Sequence, residues 1–154
     1  MGIEERIPHV KHVEGIDMFS VEGLSTTYKY VQLYIENVPF IRMGHYDCSK
    51  HFLILMSFFK ECNENGLQIC TEEEMQGFVR GYSMFPKILP PLETDKYRVR
   101  GMGYLRISNS QKGICLNGES TDFGIGLDQK HLEDIKPYFQ NQYFLRLNIY
   151  LSVN

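Results

Sequence analysis

The side chains of this sequence that can do chemistry together are one histidine and a set of cations. His51 opens the most apolar helical run in the chain, between His45 and Gly66. Phe52, Leu55, Met56 and Phe59 share a face at helical spacing, Leu53, Ile54 and Phe58 widen that stripe, and Gly66 suits a C-terminal stop. Asp47 and Ser49 each offer an N-cap oxygen. His51 then lies in the first turn, where unpaired N–H groups and the positive end of the helix dipole favour an anion. A histidine in that place, with cations near it, has its charged form disfavoured. The neutral imidazole can take a proton or attack phosphorus. Lys29, Arg42, Lys50 and Arg106 are the cations on offer. Each alone reads first as a solvated surface charge, and only their convergence makes a phosphate site.

Other constellations are weaker. Gly118-Glu-Ser-Thr-Asp-Phe-Gly-Ile-Gly126 follows an expected strand and precedes an expected helix, where open α/β sheets bind ligands, and Ser120 with nearby backbone N–H groups can hold phosphate oxygens. It has no Walker lysine, no dinucleotide pattern and no nucleophile elbow, since Asp122 fills the last place. The spacing His45-x-x-Cys48-x-x-His51 lacks a visible fourth metal ligand. Cys48 in a loop-to-helix context would be an activated thiol, but Ile54 stands where a phosphate-binding arginine would follow it. No metal and no organic cofactor is expected.

The elements that must position these groups read as one domain. At 154 residues the chain is long enough to bury a core. A net charge of -3 argues against a dedicated nucleic-acid binder and leaves room for a local cationic pocket. No apolar run is long enough to span a bilayer, no apolar leader follows Met1, and the four cysteines form no framework. A cytoplasmic, monomeric protein with reduced thiols and no membrane partner is expected.

Residues 1–27 read as an irregular arm with a short strand near Ile7 to Val13. Tyr28 to Glu36 alternates cleanly as a strand, Asn37-Val38-Pro39 is a turn, and Phe40 to Met43 and Leu67 to Cys70 are short strands. Thr71-Glu-Glu-Glu74 is a capping box for a helix ending at Gly81, and proline-rich Tyr82 to Asp95 is a loop. Tyr97 to Ser108 and Lys112 to Asn117 form a hairpin about Asn109-Ser110-Gln111. Asp128 caps a helix with Leu132, Ile135 and Phe139 on one face, which Pro137 ends or kinks. Phe144 to Leu151 alternates again. Strand, loop, helix and strand from Lys112 to Leu151 make a crossover, so its two strands should be parallel. The whole is an α/β (α+β) domain, a mixed sheet flanked by two main helices.

Five short segments, in order, resemble the small phosphohistidine phosphatases, the group that includes the Janus and Ocnus proteins. Tyr28-Lys-Tyr-Val31 is similar to that family's Phe-Lys-Tyr-Val strand, and Phe40-Ile-Arg-Met-Gly44 to its Ile-Val-Arg-Gly segment. Lys50-His51, a helix and Glu64-Asn-Gly66 resemble its Tyr-His, helix and polar-Gly ending. Gly103-Tyr-Leu-Arg-Ile-Ser108 resembles Gly-Gly-Gly-Arg-Ile-Ser, and Gly118-Glu-Ser-Thr-Asp-Phe-Gly124 resembles Gly-Tyr-Ser-Met-Ala-Tyr-Gly. The resemblance implies a metal-independent phosphatase acting on a phosphorylated protein or small phosphoramidate. It implies His51 as base or nucleophile and Lys29 as the stabiliser of phosphate charge, with Arg42 and Arg106 more distant. The backbone of His51 and Phe52, with Ser120, would cradle the phosphate.

The chain departs from the family in three ways. One extra residue separates Arg42 from His51, and the span from Thr71 to Arg100 is an insertion that can cover the site or bind a partner. Glu119 and Asp122 replace uncharged residues. A carboxylate at Asp122 would repel a phosphate unless Lys29, Lys50 or a cationic substrate group pairs with it. These carboxylates and the insertion favour the alternative reading, a non-catalytic regulatory or binding protein on the same scaffold.

Overall fold

The structure, a computed structural model, describes residues 2–13, 25–46, 50–108, 113–142 and 150–153. It is a mixed α+β fold, a six-stranded sheet in the order β1-β3-β2-β4-β5-β6. The strands are β1 (Val10–His12), β2 (Ser25–Ile35), β3 (Val38–His45), β4 (Arg98–Ser108), β5 (Gly113–Asn117) and β6 (Tyr150–Val153). The helices are α1 (His51–Glu64), α2 (Glu72–Tyr82) and α3 (Gln129–Gln142). A short 3-10 turn, Ile3–Glu5, precedes β1. Among the described residues no helix is long and apolar enough to cross a membrane.

The pleat of β2 decides which helix each residue meets. Val31, Leu33 and Ile35 point toward α1, where they join Phe40, Ile54, Leu55, Phe58, Phe59 and Cys62 in one core. Tyr28 and Tyr30 point the other way, into a second core with Ile41, Met43, Leu105 and the α3 face of Leu132, Ile135 and Phe139. The α2 residues Met75 and Phe78 pack on the α1 side. The expected alternation of β2 and the shared face of α3 therefore both hold, with a helix on each face of the sheet.

The crossover also holds: β5 and β6 pair in parallel, Gly113 with Tyr150 through Leu116 with Val153. Its 143–149 segment, like the hairpin turn at 109–111, lies outside the described residues. Asp128 caps α3 as read, its Oδ1 accepting from the His131 N–H at 2.8 Å.

Three local readings need correction, and that of Pro137 only as to ending its helix. The β2–β3 turn is Glu36-Asn37, both with positive φ (52° and 67°), the conformation of a two-residue hairpin turn. Val38 and Pro39 instead pair with Ile35 and Tyr34. Proline is tolerated there because β1 joins β3 only from Ile41 onward, leaving that end of β3 an edge. Leu67 to Cys70 is not a strand. The Leu67 N–H bonds back to Cys62 O at 2.8 Å, and Asn63 Nδ2 donates to Cys70 O at 2.7 Å, closing the end of α1 onto the start of α2. Pro137 lies inside α3 without ending it. It is exposed, as is Glu133, so the carbonyl it leaves without a helical donor is on the solvent side. The N-cap of α1 is Lys50, in extended conformation and without a side-chain cap, while Asp47 and Ser49 lie outside the described residues.

Candidate functional site

The sheet runs past the front end of α1, and its side chains there form a floor. Lys29 pairs with Tyr104 and Thr27 with Arg106 across β2 and β4, and alternation puts all four on the α1 side. His51 stands above this floor. The first α1 hydrogen bond runs from the Ile54 N–H to Lys50 O at 3.0 Å, which leaves the N–H groups of His51, Phe52 and Leu53 without a partner inside the helix.

His51 is buried, 7% exposed, and its Nε2 lies 2.9 Å from the Gly103 carbonyl oxygen. A carbonyl can only accept, so Nε2 carries the hydrogen and, in the neutral ring, Nδ1 carries the lone pair. Glycine at 103 is required by the opposite face of the sheet, where Tyr30 lies. A Cβ there would lie 2.5 Å from Asn117 O and 2.8 Å from the Tyr30 hydroxyl. The imidazole also meets the Tyr104 ring edge-on, with centroids 5.9 Å apart. Burial above all lowers the His51 pKa below the ordinary 6.5; the Gly103 hydrogen bond opposes it, the Lys29 charge adds to it, and the Asp122 charge opposes it. The outcome is an imidazole whose neutral form is favoured, with its hydrogen on Nε2.

Lys29 reaches over the Tyr46 ring, 5.4 Å from its centroid, and Tyr46 packs in turn on Tyr104. Arg106 is exposed and, with Thr27, Tyr104, Cys115 and Asn117, lines a cavity of about 160 Å³ on the same face. Lys50 is exposed, with its ammonium 5.6 Å from the Tyr82 ring centroid. Phe52 is buried and stacks on Tyr82, with centroids 4.2 Å apart and planes 6° from parallel.

The loop from Gly118 to Gly126 lies against this group. Gly118, at φ +75°, sits so near Tyr104 that any Cβ would run into the ring. Ser120 is buried, and its groups serve the loop itself. Its N–H donates to Ile125 O at 2.9 Å, and its hydroxyl oxygen accepts from the Phe123 N–H at 3.2 Å. The Ser120 backbone N–H therefore has an acceptor already, and the hydroxyl hydrogen is the donor it has left for a ligand. Asp122 pairs neither with Lys29 nor with Lys50. The Tyr82 hydroxyl donates to its Oδ2 at 2.6 Å, and Lys87 Nζ lies 3.3 Å from both carboxylate oxygens. The Tyr82 hydrogen bond first, then Lys87, hold the Asp122 carboxyl below the usual range against its partial burial.

Arg42 stands apart from the cations at His51. It is fully buried beneath α1. Its Nε and Nη2 donate to Glu61 at 2.8 and 3.2 Å, and its remaining bonds go to the Pro8, His9 and Ile41 carbonyls. Glu61 lies along α1 from His51 by about 15 Å at 1.5 Å per residue. Arg42 thus secures the β1–β3–α1 packing, and its donors go to Glu61 and to backbone carbonyls rather than to the His51 end of α1.

The sequence did not point to Tyr82 and Lys87, which come from the insertion, or to Gly103 as the acceptor for His51. The glycine marks a close approach, but to Tyr30 and Asn117, and a backbone carbonyl acceptor leaves no trace in the sequence. His45 packs on Tyr28 and His12, on the α3 side of the sheet, away from His51. Among the described residues no group of three His, Cys, Asp or Glu side chains could hold a metal. Cys48 lies outside the described residues. Cys62 and Cys70 are buried free thiols, pushed up to about 12 and about 11 by burial, and so are poor nucleophiles.

No family model matches the chain, and no curated protein matches it.

Proposed function

We propose that the protein hydrolyses phosphohistidine, or a related phosphoramidate, without a metal and with His51 as the central group. The observation that supports this best is the His51 Nε2–Gly103 bond. It leaves the Nδ1 lone pair as the reactive end of a neutral ring, at the front of α1 and within reach of the Lys29 charge. The unpaired N–H groups of the first α1 turn and the ammonium of Lys29 supply positive potential for three phosphoryl oxygens. Arg106 and Lys50 extend that potential to the rim.

The chemistry asks little more. Protonation of the substrate nitrogen weakens the P–N bond, and the phosphoryl group then passes to an acceptor in line with it. With His51 as nucleophile, the P–N bond to the substrate breaks and a P–Nδ1 bond forms, and water then displaces Nδ1 to give inorganic phosphate. With His51 as base, Nδ1 takes a proton from the attacking water as its oxygen bonds phosphorus, and the P–N bond breaks to release the protonated substrate nitrogen as the neutral amine or imidazole. Both routes balance with protein groups and water alone.

The test is hydrolysis of phosphoramidate and of a chemically phosphorylated histidine-containing protein, in chelator, by wild type and His51→Ala. The variant should lose at least about 100-fold in rate, as removal of a base or nucleophile does. Equal rates for wild type and variant would end the proposal. Trapping of ³²P on His51 would choose the nucleophilic route. A wild type that binds phosphate yet hydrolyses neither substrate would mark the chain as a regulatory binding protein on this scaffold, the reading that the Asp122 carboxylate favours.

A further inference from the structure

We propose that Tyr82 and Lys87, both from the 71–100 insertion, are positioning residues of the His51 site. They hold the Asp122 carboxylate, so that the anion place beside His51 stays open to a negatively charged ligand. The inference rests on the reading of that place as an anion site, and adds to it the insertion as a working part.

The geometry has three strands of support. First, the Asp122 carboxylate is held at both oxygens, by the Tyr82 hydroxyl at 2.6 Å and by Lys87 Nζ at 3.3 Å. Second, both holding groups are themselves fixed. Tyr82 stacks on Phe52, the second residue of α1, and carries Lys87 over its ring at 4.2 Å. The Ile88 N–H donates to Gly81 O at 2.8 Å, which turns the chain back at the end of α2. Gly81 has to be glycine for that approach, since a Cβ would lie 2.7 Å from Ile88 O. Third, the helix that carries Tyr82 is fixed at its start by a capping box, Thr71 Oγ1 accepting from the Glu74 N–H and Glu74 accepting from the Thr71 N–H, both at 3.0 Å.

The electrostatic consequence follows from the groups around His51. Lys29 faces it from β2, Tyr104 and Arg106 belong to β4, Lys50 precedes it on α1, and Asp122 comes from the loop. Asp122 is the one carboxylate among them whose charge acts on His51. Left unpaired it would repel a phosphoryl group and favour the imidazolium, which can be neither base nor nucleophile. Lys87 offsets part of that charge, which still reaches His51 in weakened form. The insertion and the acidic residue thus compensate one another, and each makes sense only with the other.

The decisive experiment is a cycle of Lys87→Met, Asp122→Asn and the double variant, with Tyr82→Phe as a milder companion that keeps the ring stack. Two readouts are taken on each folded protein: the His51 titration by NMR and the affinity for inorganic phosphate. Lys87→Met should raise the His51 pKa and weaken phosphate about tenfold, the effect of one unpaired, partly desolvated charge. Tyr82→Phe should move both in the same direction by less. Asp122→Asn in the Lys87→Met background should restore both to within about twofold of wild type. A Lys87→Met protein with unchanged titration and affinity overturns the inference. So does a double variant as weak as Lys87→Met, because Lys87 would then be touching the phosphate itself. If the wild type takes up no phosphate, the anion reading falls, and the His51 titration alone still decides whether the insertion neutralises Asp122.

Discussion

Arg42 and Lys29 look alike in the sequence, each a cation on a strand beside the expected histidine helix. Their neighbours separate them. Arg42 is fully buried and bonded to Glu61, itself only 12% exposed at its side chain. Lys29 lies over Tyr46 at the mouth of the site. Arg42→Ala should therefore destabilise the fold by about 3 kcal/mol in urea unfolding, because it breaks a buried forked pair and leaves Glu61 only the half-exposed ammonium of Lys11, 3.4 Å away. Arg42→Lys should be nearly as damaging, since an ammonium cannot make the forked contact. Lys29→Ala should leave stability within about 0.5 kcal/mol and weaken phosphate binding instead. A stable Arg42→Ala with impaired phosphate affinity would reverse the assignment. At this scale the sequence could name the chemical type of each side chain. It could not name the partner, because Glu61, Gly103, Tyr82 and Lys87 are contributed from other elements.

Elements were more legible than contacts. The alternation of β2, the capping box of α2, the Asp128 cap of α3 and the parallel crossover to β6 all follow from local pattern. The readings that needed correction depend on neighbours: the Glu36-Asn37 turn, set by strand register, and the passage of α3 through Pro137, set by packing of its opposite face. One buried group of α3 carries a pH dependence. His131 is fully buried, and its Nε2 lies 3.0 Å from Leu33 O and 2.9 Å from Phe40 O, tying α3 to β2 and β3. Both oxygens accept, so Nε2 donates, and the buried Nδ1 has no partner to receive a second proton. Burial accordingly lowers its pKa from 6.5 to about 4. The unfolded chain then protonates first as pH falls. This contribution to stability is full above about pH 6.5 and is lost toward pH 4, by about 3 kcal/mol. Urea midpoints measured across that range should fall accordingly. His131→Gln, which keeps a donor for the two carbonyls, should flatten that part of the curve. An unchanged slope in the variant would assign the dependence to other groups.

Over the whole molecule the mixed sheet and its helix on each face were readable, because burial period and chain order constrain them. The strand order β1-β3-β2-β4-β5-β6 was not, since it rests on pairings far apart in the chain, such as Val10 with Ile41 and Thr27 with Arg106. That order is what gathers charge. The chain carries a net -3, yet Lys29, Lys50, Lys87 and Arg106 collect near one end of the sheet, against an Asp122 already held. A local positive site on an acidic protein binds anions through short-range potential and gains nothing from the net charge. Its rim cations are exposed or half-exposed and so are open to screening, with a Debye length of about 10 Å at 0.1 M salt. Phosphate affinity should fall several-fold between about 0.05 and 0.5 M sodium chloride. Lys29→Ala should show a shallower dependence as well as weaker binding, since one of the screened charges is gone. Titration calorimetry at matched pH measures both. Salt-independent binding in the wild type would mean that backbone N–H groups of α1 alone hold the anion and that the gathered cations play no part.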